Sequence, residues 1–369
     1  MPINQKPRLR DLGPTIGYLP PGPLNALTDV PGVWVGHTTL IADTPRVART
    51  GVTVILPHEG RIWKEPAFAA YHSYNGCGEM TGTHWIAESG MLTSPIAITN
   101  TGQVGTVHEA LGKYAVEHGL TEDFELPVVA ETYDGWLNDI AALHLTREHV
   151  FQAMDAARSG PVVEGCVGGG TGMICHEFKG GIGTSSRVVE ISAGRYTVGA
   201  LVQANYGVRR DLRLDGVPVG VELGLEQIPS GWAEAPGVEP GAGARSEAGS
   251  IIVIVATDAP LLPFQCKRLA QRATTGLART GGFGNNGSGD IFLAFATGNT
   301  FDPATNQLIP LHMLANSQMN PFFVATAEAV EEAIWNALIA AETTTGYKGR
   351  TAYAIPHEEV VRIWKKYRP

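Results

Sequence analysis

The sequence predicts a layered α/β sandwich that contains antiparallel strand pairs. Short apolar runs rich in β-branched residues recur along the chain and are mixed with longer segments in which apolar residues return every three or four positions. Several strand-like runs are apolar enough to be covered by other layers on both faces. The 369 residues can bury a large core. This mixture fits a sandwich better than a helical bundle or an all-β barrel.

Seven segments have the composition of strands. Segments 188–192 and 196–203 are joined by Ala193, Gly194 and Arg195, a connection short enough for an antiparallel hairpin with glycine where a positive φ is needed. All seven predicted strands are 52–56, 95–99, 127–130, 188–192, 196–203, 251–257 and 291–297.

Five segments show helical spacing. In segment 262–279 the apolar positions follow the i, i+3, i+4 rule, and Gly281 is expected to end the helix. Thr146 is a candidate cap for the helix that follows it. The five predicted helices are 104–118, 147–158, 262–279, 325–341 and 357–366.

Charge and hydropathy exclude several partners. The net charge is −9 and no block of like charges forms a basic stripe, so the sequence does not predict nucleic-acid binding. The longest apolar runs, such as 251–256, are far shorter than a membrane span. Basic residues near the start are followed by Asp11-Leu12-Gly13-Pro14 where an export signal needs an apolar segment. We therefore expect a soluble, cytoplasmic protein.

Cysteines and glycine-rich motifs indicate no cofactor or metal. The four cysteines (Cys77, Cys166, Cys175, Cys266) form no C-x-x-C pair and predict buried free thiols in a reducing compartment. The segment 282–287 matches G-x-G-x-x-G but lacks a preceding strand and a following helix. Segments 168–172 and 180–184 predict tight turns or site-lining loops. No His-Glu pair has the spacing of a zinc peptidase.

Segment 227–249 is rich in Pro, Gly, Ala and Glu and predicts a flexible linker. It ends at Gly249-Ser250, directly before a buried strand. Cleavage of that bond would give Ser250 both a hydroxyl nucleophile and an α-amine with a pKa of about 8 that acts as its base. Glycine at 249 would permit the close approach that cleavage needs. Gly-Ser is also a common loop dipeptide, so spacing alone leaves both interpretations open.

Motifs along almost the whole chain carry a resemblance to a known family. The chain resembles the self-processing aminopeptidase family of L-aminopeptidase D-Ala-esterase/amidase and the β-peptidyl aminopeptidases. The matching segments are LTDVPGV (27–33) with VGH (35–37), NGCGEMTG (75–82), ETYDG (131–135) with LND (137–139), GGGTGM (168–173), ANYG (204–207), Gly249-Ser250 ahead of TDAPL (257–261), and NGSGD (286–290).

The resemblance implies a four-layer α-β-β-α sandwich of the N-terminal-nucleophile hydrolase type. It implies a precursor, residues 1–369, that forms one domain and cuts itself into an α chain, 1–249, and a β chain, 250–369. The two chains would stay together and assemble into a homo-oligomer of αβ units. The implied substrate is a peptide, amide or ester with a free amino terminus.

The resemblance also implies a role for each matching residue. Ser250 would be the nucleophile, and Asn205 and Tyr133 would stabilise the oxyanion. Glu131 would pair with the substrate ammonium. The alternative for both Glu131 and Tyr133 is a position in a surface turn. Ser288 and Asp290 would activate Ser250 in the precursor.

Two alternatives stay open beside a serine aminopeptidase that releases small N-terminal residues. The β-peptidyl members favour Glu at the position of Asp290, so a β-peptidyl preference is a second possibility that Asp290 weakens. A non-catalytic subunit with the same fold is a third, which the full set of site residues opposes. Trp136 and Leu137 fit either a pocket wall or the core.

Overall fold

The computed structural model of the chain describes residues 6–121, 125–234 and 249–368. Seven α-helices lie in these residues, and the five predicted ones are among them. The helices are α1 (Thr83–Ser89), α2 (Val104–Glu117), α3 (Arg147–Asp155), α4 (Val219–Glu222), α5 (Pro263–Arg279), α6 (Asn320–Ile339) and α7 (His357–Tyr367).

Fourteen strands lie in the described residues, and all seven predicted segments fall within them or overlap them. The strands are β1 (Trp34–Ala42), β2 (Ala48–Leu56), β3 (Ala67–Ser73), β4 (Met91–Leu92), β5 (Ile96–Asn100), β6 (Val128–Thr132), β7 (Ile174–Cys175), β8 (Phe178–Lys179), β9 (Gly181–Ile191), β10 (Gly194–Asn205), β11 (Ser250–Thr257), β12 (Gly289–Ala296), β13 (Thr344–Thr345) and β14 (Thr351–Ala352).

Two mixed sheets form the centre of the fold. The first has the order β1-β2-β5-β6, and the second has the order β4-β3-β12-β11-β10-β9. Strands β5 and β6 are parallel, as are β11 and β12, whereas the other neighbours in these two sheets are antiparallel. The predicted hairpin is confirmed as β9 and β10, and Gly194 at its turn has a φ of +143°.

Three hydrophobic clusters separate four layers. Helices α2 and α3 pack on the outer face of the four-stranded sheet, for example through Val107 and Val150 against Val52. The two sheets face each other across a cluster that includes Ile98 and Ile254. Helices α5 and α6 cover the outer face of the six-stranded sheet. The order of layers is α-β-β-α, as the family resemblance implies.

Two elements begin five or more residues before their predicted starts. Strand β9 begins at Gly181 instead of residue 188. The prediction missed its first half because most residues there are small or polar and lack the apolar pattern of a strand. Gly183 shows the reason: a Cβ there would lie 2.0 Å from the Ala333 carbonyl oxygen of α6. Helix α6 begins at Asn320, five residues before the predicted start, and has a proline in its first turn, where its missing N–H costs nothing.

The cysteines and the predicted linker differ in part from expectation. All four cysteines are free, but only Cys175 and Cys266 are buried, whereas Cys77 is exposed. In the predicted linker, 235–248 lie outside the described residues. Its first part is held in place, since the Gly231 N–H donates to the Glu177 carbonyl at 2.7 Å. Within the described ranges, no helix has the length and apolar character needed to cross a bilayer.

Candidate active site

Three strand ends meet at Ser250. Strand β10 ends at Asn205, and because β11 is antiparallel to it, Ser250 at the start of β11 pairs with Asn205. Strand β12 runs parallel to β11, so Gly289 at its start pairs with Ser250 from the other side. The Gly289 N–H donates to the Ser250 Oγ at 3.2 Å. The register of the sheet therefore fixes the position of the Ser250 hydroxyl.

The Asn205 side chain joins the two sheets at this point. Its Oδ1 accepts the Ile174 N–H at 2.8 Å, and its Nδ2 donates to the Tyr133 carbonyl at 3.0 Å. Because an amide nitrogen carries two N–H groups, these contacts orient the amide and leave its second N–H for another acceptor. The residue is 1% exposed, so the amide is held in a desolvated position beside Ser250.

Glu131 enters the site from the facing sheet. Strands β5 and β6 are parallel, so Thr101 after β5 and Glu131 at the end of β6 lie close together. The Glu131 carboxylate accepts the Thr101 hydroxyl and, at 3.1 Å, the Glu79 N–H. Burial raises the pKa of Glu131, although these two hydrogen bonds act in the opposite direction. A cation that enters the site would satisfy this carboxylate.

A cavity of about 170 Å³ brings most of the predicted residues together. Glu131 is therefore not in a surface turn, since it is 3% exposed and lines this cavity. The full lining is Cys77, Thr101, Glu131, Tyr133, Asn205, Trp232, Gly249, Ser250 and Gly287.

Ser288 and Asp290 line a neighbouring cavity of about 20 Å³, which also touches Gly249. The Ser288 hydroxyl donates to Asp290 Oδ1 at 2.6 Å. Burial raises the pKa of Asp290 to about 6, while this hydrogen bond and one from the Ile251 N–H lower it. The pair flanks Gly289, the residue that pairs with Ser250 in the sheet, and Gly249 lines both this cavity and the larger one.

Gly249 has no room for a side chain. A Cβ at this position would lie 2.6 Å from Tyr206 Cα and 2.7 Å from the Asn205 carbonyl oxygen. Both atoms belong to the backbone, which cannot give way as a flexible side chain does. The residue before Ser250 must therefore be glycine for the chain to run this close to the end of β10.

Three cavity residues had no sequence prediction of a role. Cys77 and Trp232 line the cavity from loops, and Thr101 lines it from the 3-10 turn that follows β5. None of the three stands in a motif whose chemistry is evident from sequence alone. Trp136 and Leu137 do not line it. They belong to a small buried cluster against which Trp232 packs. The core interpretation of these two residues is therefore correct.

The glycine-rich segments take the crowded positions that their composition indicates. A Cβ at Gly169 would lie 2.1 Å from Gln203 Oε1. Segment 282–287 follows helix α5 and precedes strand β12, the reverse of a dinucleotide-binding turn. Among the described residues, no group of three or more His, Cys, Asp or Glu side chains is arranged to hold a metal ion.

The fold and the site together define the class. A four-layer α-β-β-α sandwich with a hydroxyl residue at the first position of a central strand, facing a cavity, is the architecture of an N-terminal-nucleophile hydrolase. The chain belongs to Peptidase family S58, which matches residues 25–352. The predicted family and fold are confirmed, and the chain is an enzyme of an aminopeptidase family.

Named relatives and solved structures match along nearly the whole chain. The β-peptidyl aminopeptidase BapA of Sphingosinicella microcystinivorans is 46% identical over 98% of this chain and 93% of its own. A β-aminopeptidase structure from Burkholderia sp. has a TM-score of 0.89, with 49% identity over 98% of this chain and 99% of its own. The L-aminopeptidase D-Ala-esterase/amidase of Ochrobactrum anthropi, described as a prototype serine aminopeptidase with a variant Ntn-hydrolase fold, has a TM-score of 0.88 and 44% identity over 98% and 99%.

Proposed function

We propose that this chain is a self-processing serine aminopeptidase that releases small N-terminal residues from peptides, amides and esters. The observation that carries the proposal is the position of Ser250 at the start of β11, where it pairs with Asn205 and lines the same cavity as Asn205, Tyr133 and Glu131. A nucleophile, oxyanion donors and a carboxylate for an ammonium group are the parts that acyl transfer from a free amino terminus needs.

Cleavage between Gly249 and Ser250 generates the catalytic base. The freed α-amine, with a pKa of about 8, takes the Ser250 hydroxyl proton as the oxygen attacks the substrate carbonyl. The same amine then returns the proton to the leaving amine or alcohol. Before cleavage this nitrogen is an amide and is not basic. The Ser288 and Asp290 pair activates Ser250 in that precursor.

Asn205 and Tyr133 stabilise the tetrahedral oxyanion. The second N–H of the Asn205 amide and the Tyr133 hydroxyl are hydrogen-bond donors that bind the developing negative charge. Glu131 pairs with the substrate ammonium, which confines cleavage to the first residue. A substrate with an acylated amino terminus would leave this buried carboxylate unpaired and would bind poorly.

The pieces 1–249 and 250–369 stay together after cleavage. Strands β11 and β12 of the smaller piece lie between β10 and β3 of the larger piece, so separation would break a continuous sheet. The family resemblance extends the proposal to one domain that assembles into a homo-oligomer of αβ units. Four free cysteines agree with a reducing, cytoplasmic location.

A preference for β-peptidyl substrates is a second candidate. Two of the relatives named above are β-peptidyl or β-aminopeptidases, whereas the shorter side chain of Asp290 argues for ordinary small residues. Hydrolysis of H-β-Ala anilide against H-Ala anilide separates the two preferences. A higher kcat/KM for the β-Ala compound would replace the first candidate with the second.

The test of self-processing is the denatured mass of the purified protein beside that of Ser250→Ala. The 39.2 kDa wild type should divide into pieces of roughly 26 and 13 kDa, the smaller with an N-terminal serine, by proportion of chain length. Ser250→Ala should stay intact and inactive, and the exposed Ser73→Ala should behave as wild type. A wild type that stays intact on incubation would remove the amine base and favour a non-catalytic subunit.

A further inference from the structure

Trp232 forms one wall of the catalytic cavity. It is the largest side chain in a lining that otherwise consists of polar or small residues and Tyr133. It lies in an irregular segment between α4 and β11 rather than in a helix or strand. The residue shares this cavity of about 170 Å³ with Ser250. An irregular segment needs outside contacts to hold such a ring still.

Trp136 supports the ring of Trp232 from behind. The two ring centroids are 5.7 Å apart with an interplanar angle of 65°, which is an edge-to-face contact. Trp136 is 9% exposed and belongs to a buried cluster with Leu137, Ile174 and Ala352. Trp232 therefore rests on a ring that is itself packed against the body of the protein.

Arg350 contacts both the Trp136 ring and Glu234, which lies two residues after Trp232 in the chain. Its guanidinium carbon lies 3.6 Å from the centroid of the Trp136 ring. The same guanidinium donates to both oxygens of Glu234, with Nε to Oε2 at 2.9 Å and Nη2 to Oε1 at 3.0 Å. The two side chains are only 11% and 18% exposed, so this bidentate pair is shielded from water.

We propose that Arg350 is a positioning residue that sets the substrate size limit by holding Trp232 in the cavity wall. The inference rests on the proposed aminopeptidase function and deepens it, since it assigns the preference for small N-terminal side chains to one contact chain. Arg350 holds Trp136 by stacking on its ring and holds Glu234 by pairing with its carboxylate. Trp232 is held from both directions, because it contacts Trp136 and is two residues from Glu234 in the chain. In the sequence, residues 232–234 precede the Gly249-Ser250 bond and Arg350 follows it. The contact between Arg350 and Glu234 therefore joins the two pieces after cleavage.

The test compares H-Ala and H-Leu p-nitroanilides as substrates of the processed enzyme. Removal of the wall in Trp232→Ala should raise the Leu-to-Ala ratio of kcat/KM by about tenfold, the lower range for a changed apolar pocket. Arg350→Met should raise the ratio in the same direction by a smaller factor. Arg350→Lys should restore part of the wild-type ratio, because an ammonium keeps the charge but not the bidentate geometry.

Three further variants keep the test decisive. Glu234→Gln breaks the same contact from the other side and carries the test if Arg350→Met does not fold. Arg350→Met added to Trp232→Ala should cause no further change in the Leu-to-Ala ratio. Arg350 is proposed to act only by holding the Trp232 ring, and that ring is already absent in Trp232→Ala. Arg362→Met is the matched control, since Arg362 pairs with Glu359 on the exposed face of α7.

The outcomes separate this inference from the proposed function. A wild type that hydrolyses neither of these anilides nor H-β-Ala anilide would contradict the aminopeptidase itself. An active wild type whose ratio is unchanged in Trp232→Ala would show that Trp232 does not limit substrate size. A changed ratio in Trp232→Ala together with unchanged ratios in Arg350→Met and Glu234→Gln would overturn the role of Arg350.

Discussion

Asp290 shows how burial changes the chemistry of one side chain. The carboxyl is 2% exposed, and its partners are the Ser288 hydroxyl and the Ile251 N–H, neither of which carries a charge. Burial therefore dominates and raises the pKa of Asp290 to about 6. The carboxyl is mostly ionised near pH 7, and its burial in that charged form lowers the stability of the folded protein. Titratable groups at active sites commonly have pKa values shifted in this manner.

The pH dependence of stability tests this cost. Because the folded-state pKa lies above the usual 3.8, the folded protein holds this proton more tightly, and that contribution to stability is lost as the pH rises from about 4 to about 6. Asp290→Asn lacks the titrating group. Its unfolding free energy relative to wild type should increase by up to about 3 kcal/mol between pH 4 and pH 7, measured by urea denaturation with Ser250→Ala added to both proteins so that both chains stay intact.

A matched variant gives the baseline for this measurement. The exposed Asp302→Asn removes a carboxylate outside the active site, and its difference from wild type over the same pH range is subtracted. Stability curves of wild type and Asp290→Asn that run parallel from pH 4 to pH 7 would contradict the raised pKa.

At the scale of elements, the junction before β11 decides where Ser250 lies. The backbone of Gly249 runs against Asn205 and Tyr206, so any side chain at 249 must push the start of β11 away from the end of β10. A shift of that kind separates Ser250 from Asn205 and from the Gly289 N–H. Small displacements of a reacting group have large effects on rate.

Gly249→Ala is expected to slow self-processing by about 10²-fold, the effect of a misplacement near 1 Å. The measurement is the fraction of intact chain over time after synthesis, from denatured mass spectra. Gly224→Ala is the control, because a Cβ at Gly224 would meet no atom within 4 Å. If Gly249→Ala is processed at the wild-type rate, the close approach at 249 is not needed for processing.

At the scale of the whole molecule, buried ion pairs join the two pieces of the proposed enzyme. Arg187 of β9 is fully buried and donates to Glu328 at 3.0 Å and to Glu332 at 2.6 Å, both on α6. Arg10 of the N-terminal segment also contacts Glu332 at 2.7 Å. Although burial raises the pKa of Glu332, the charges of Arg187 and Arg10 hold it below its usual value.

Arg187→Met should lower the free energy of unfolding by about 3–5 kcal/mol, because two buried carboxylates lose their main counter-charge. Arg195→Met is the control, since Arg195 forms an exposed pair with Glu190 and its loss should cost less than about 1 kcal/mol. Both values come from urea denaturation of the Ser250→Ala background, which keeps the chain intact. Equal stability losses in the two variants would mean that the buried network adds nothing beyond a surface pair.

Local patterns in the sequence determined much of the fold and some of the site. The period of apolar residues located five helices and seven strands, because burial of one face imposes that period on each element separately. The Gly249-Ser250 junction was located by a change in composition, where a Gly- and Pro-rich segment meets an apolar run. The motifs that resemble the family supplied Glu131, Tyr133, Asn205, Ser288 and Asp290, whose positions in loops and strand ends show no period of their own.

Only the tertiary structure decided how these residues meet. Strand register places Asn205, Ser250 and Gly289 side by side, and the packing of one sheet on the other brings Glu131 to them. The first half of β9, Trp232 in the cavity and Arg350 behind Trp136 had no sequence signal, because each depends on a partner more than 90 residues away. Local residue patterns specify which face of an element is buried, whereas hydrogen-bond register and packing between layers specify what that face meets.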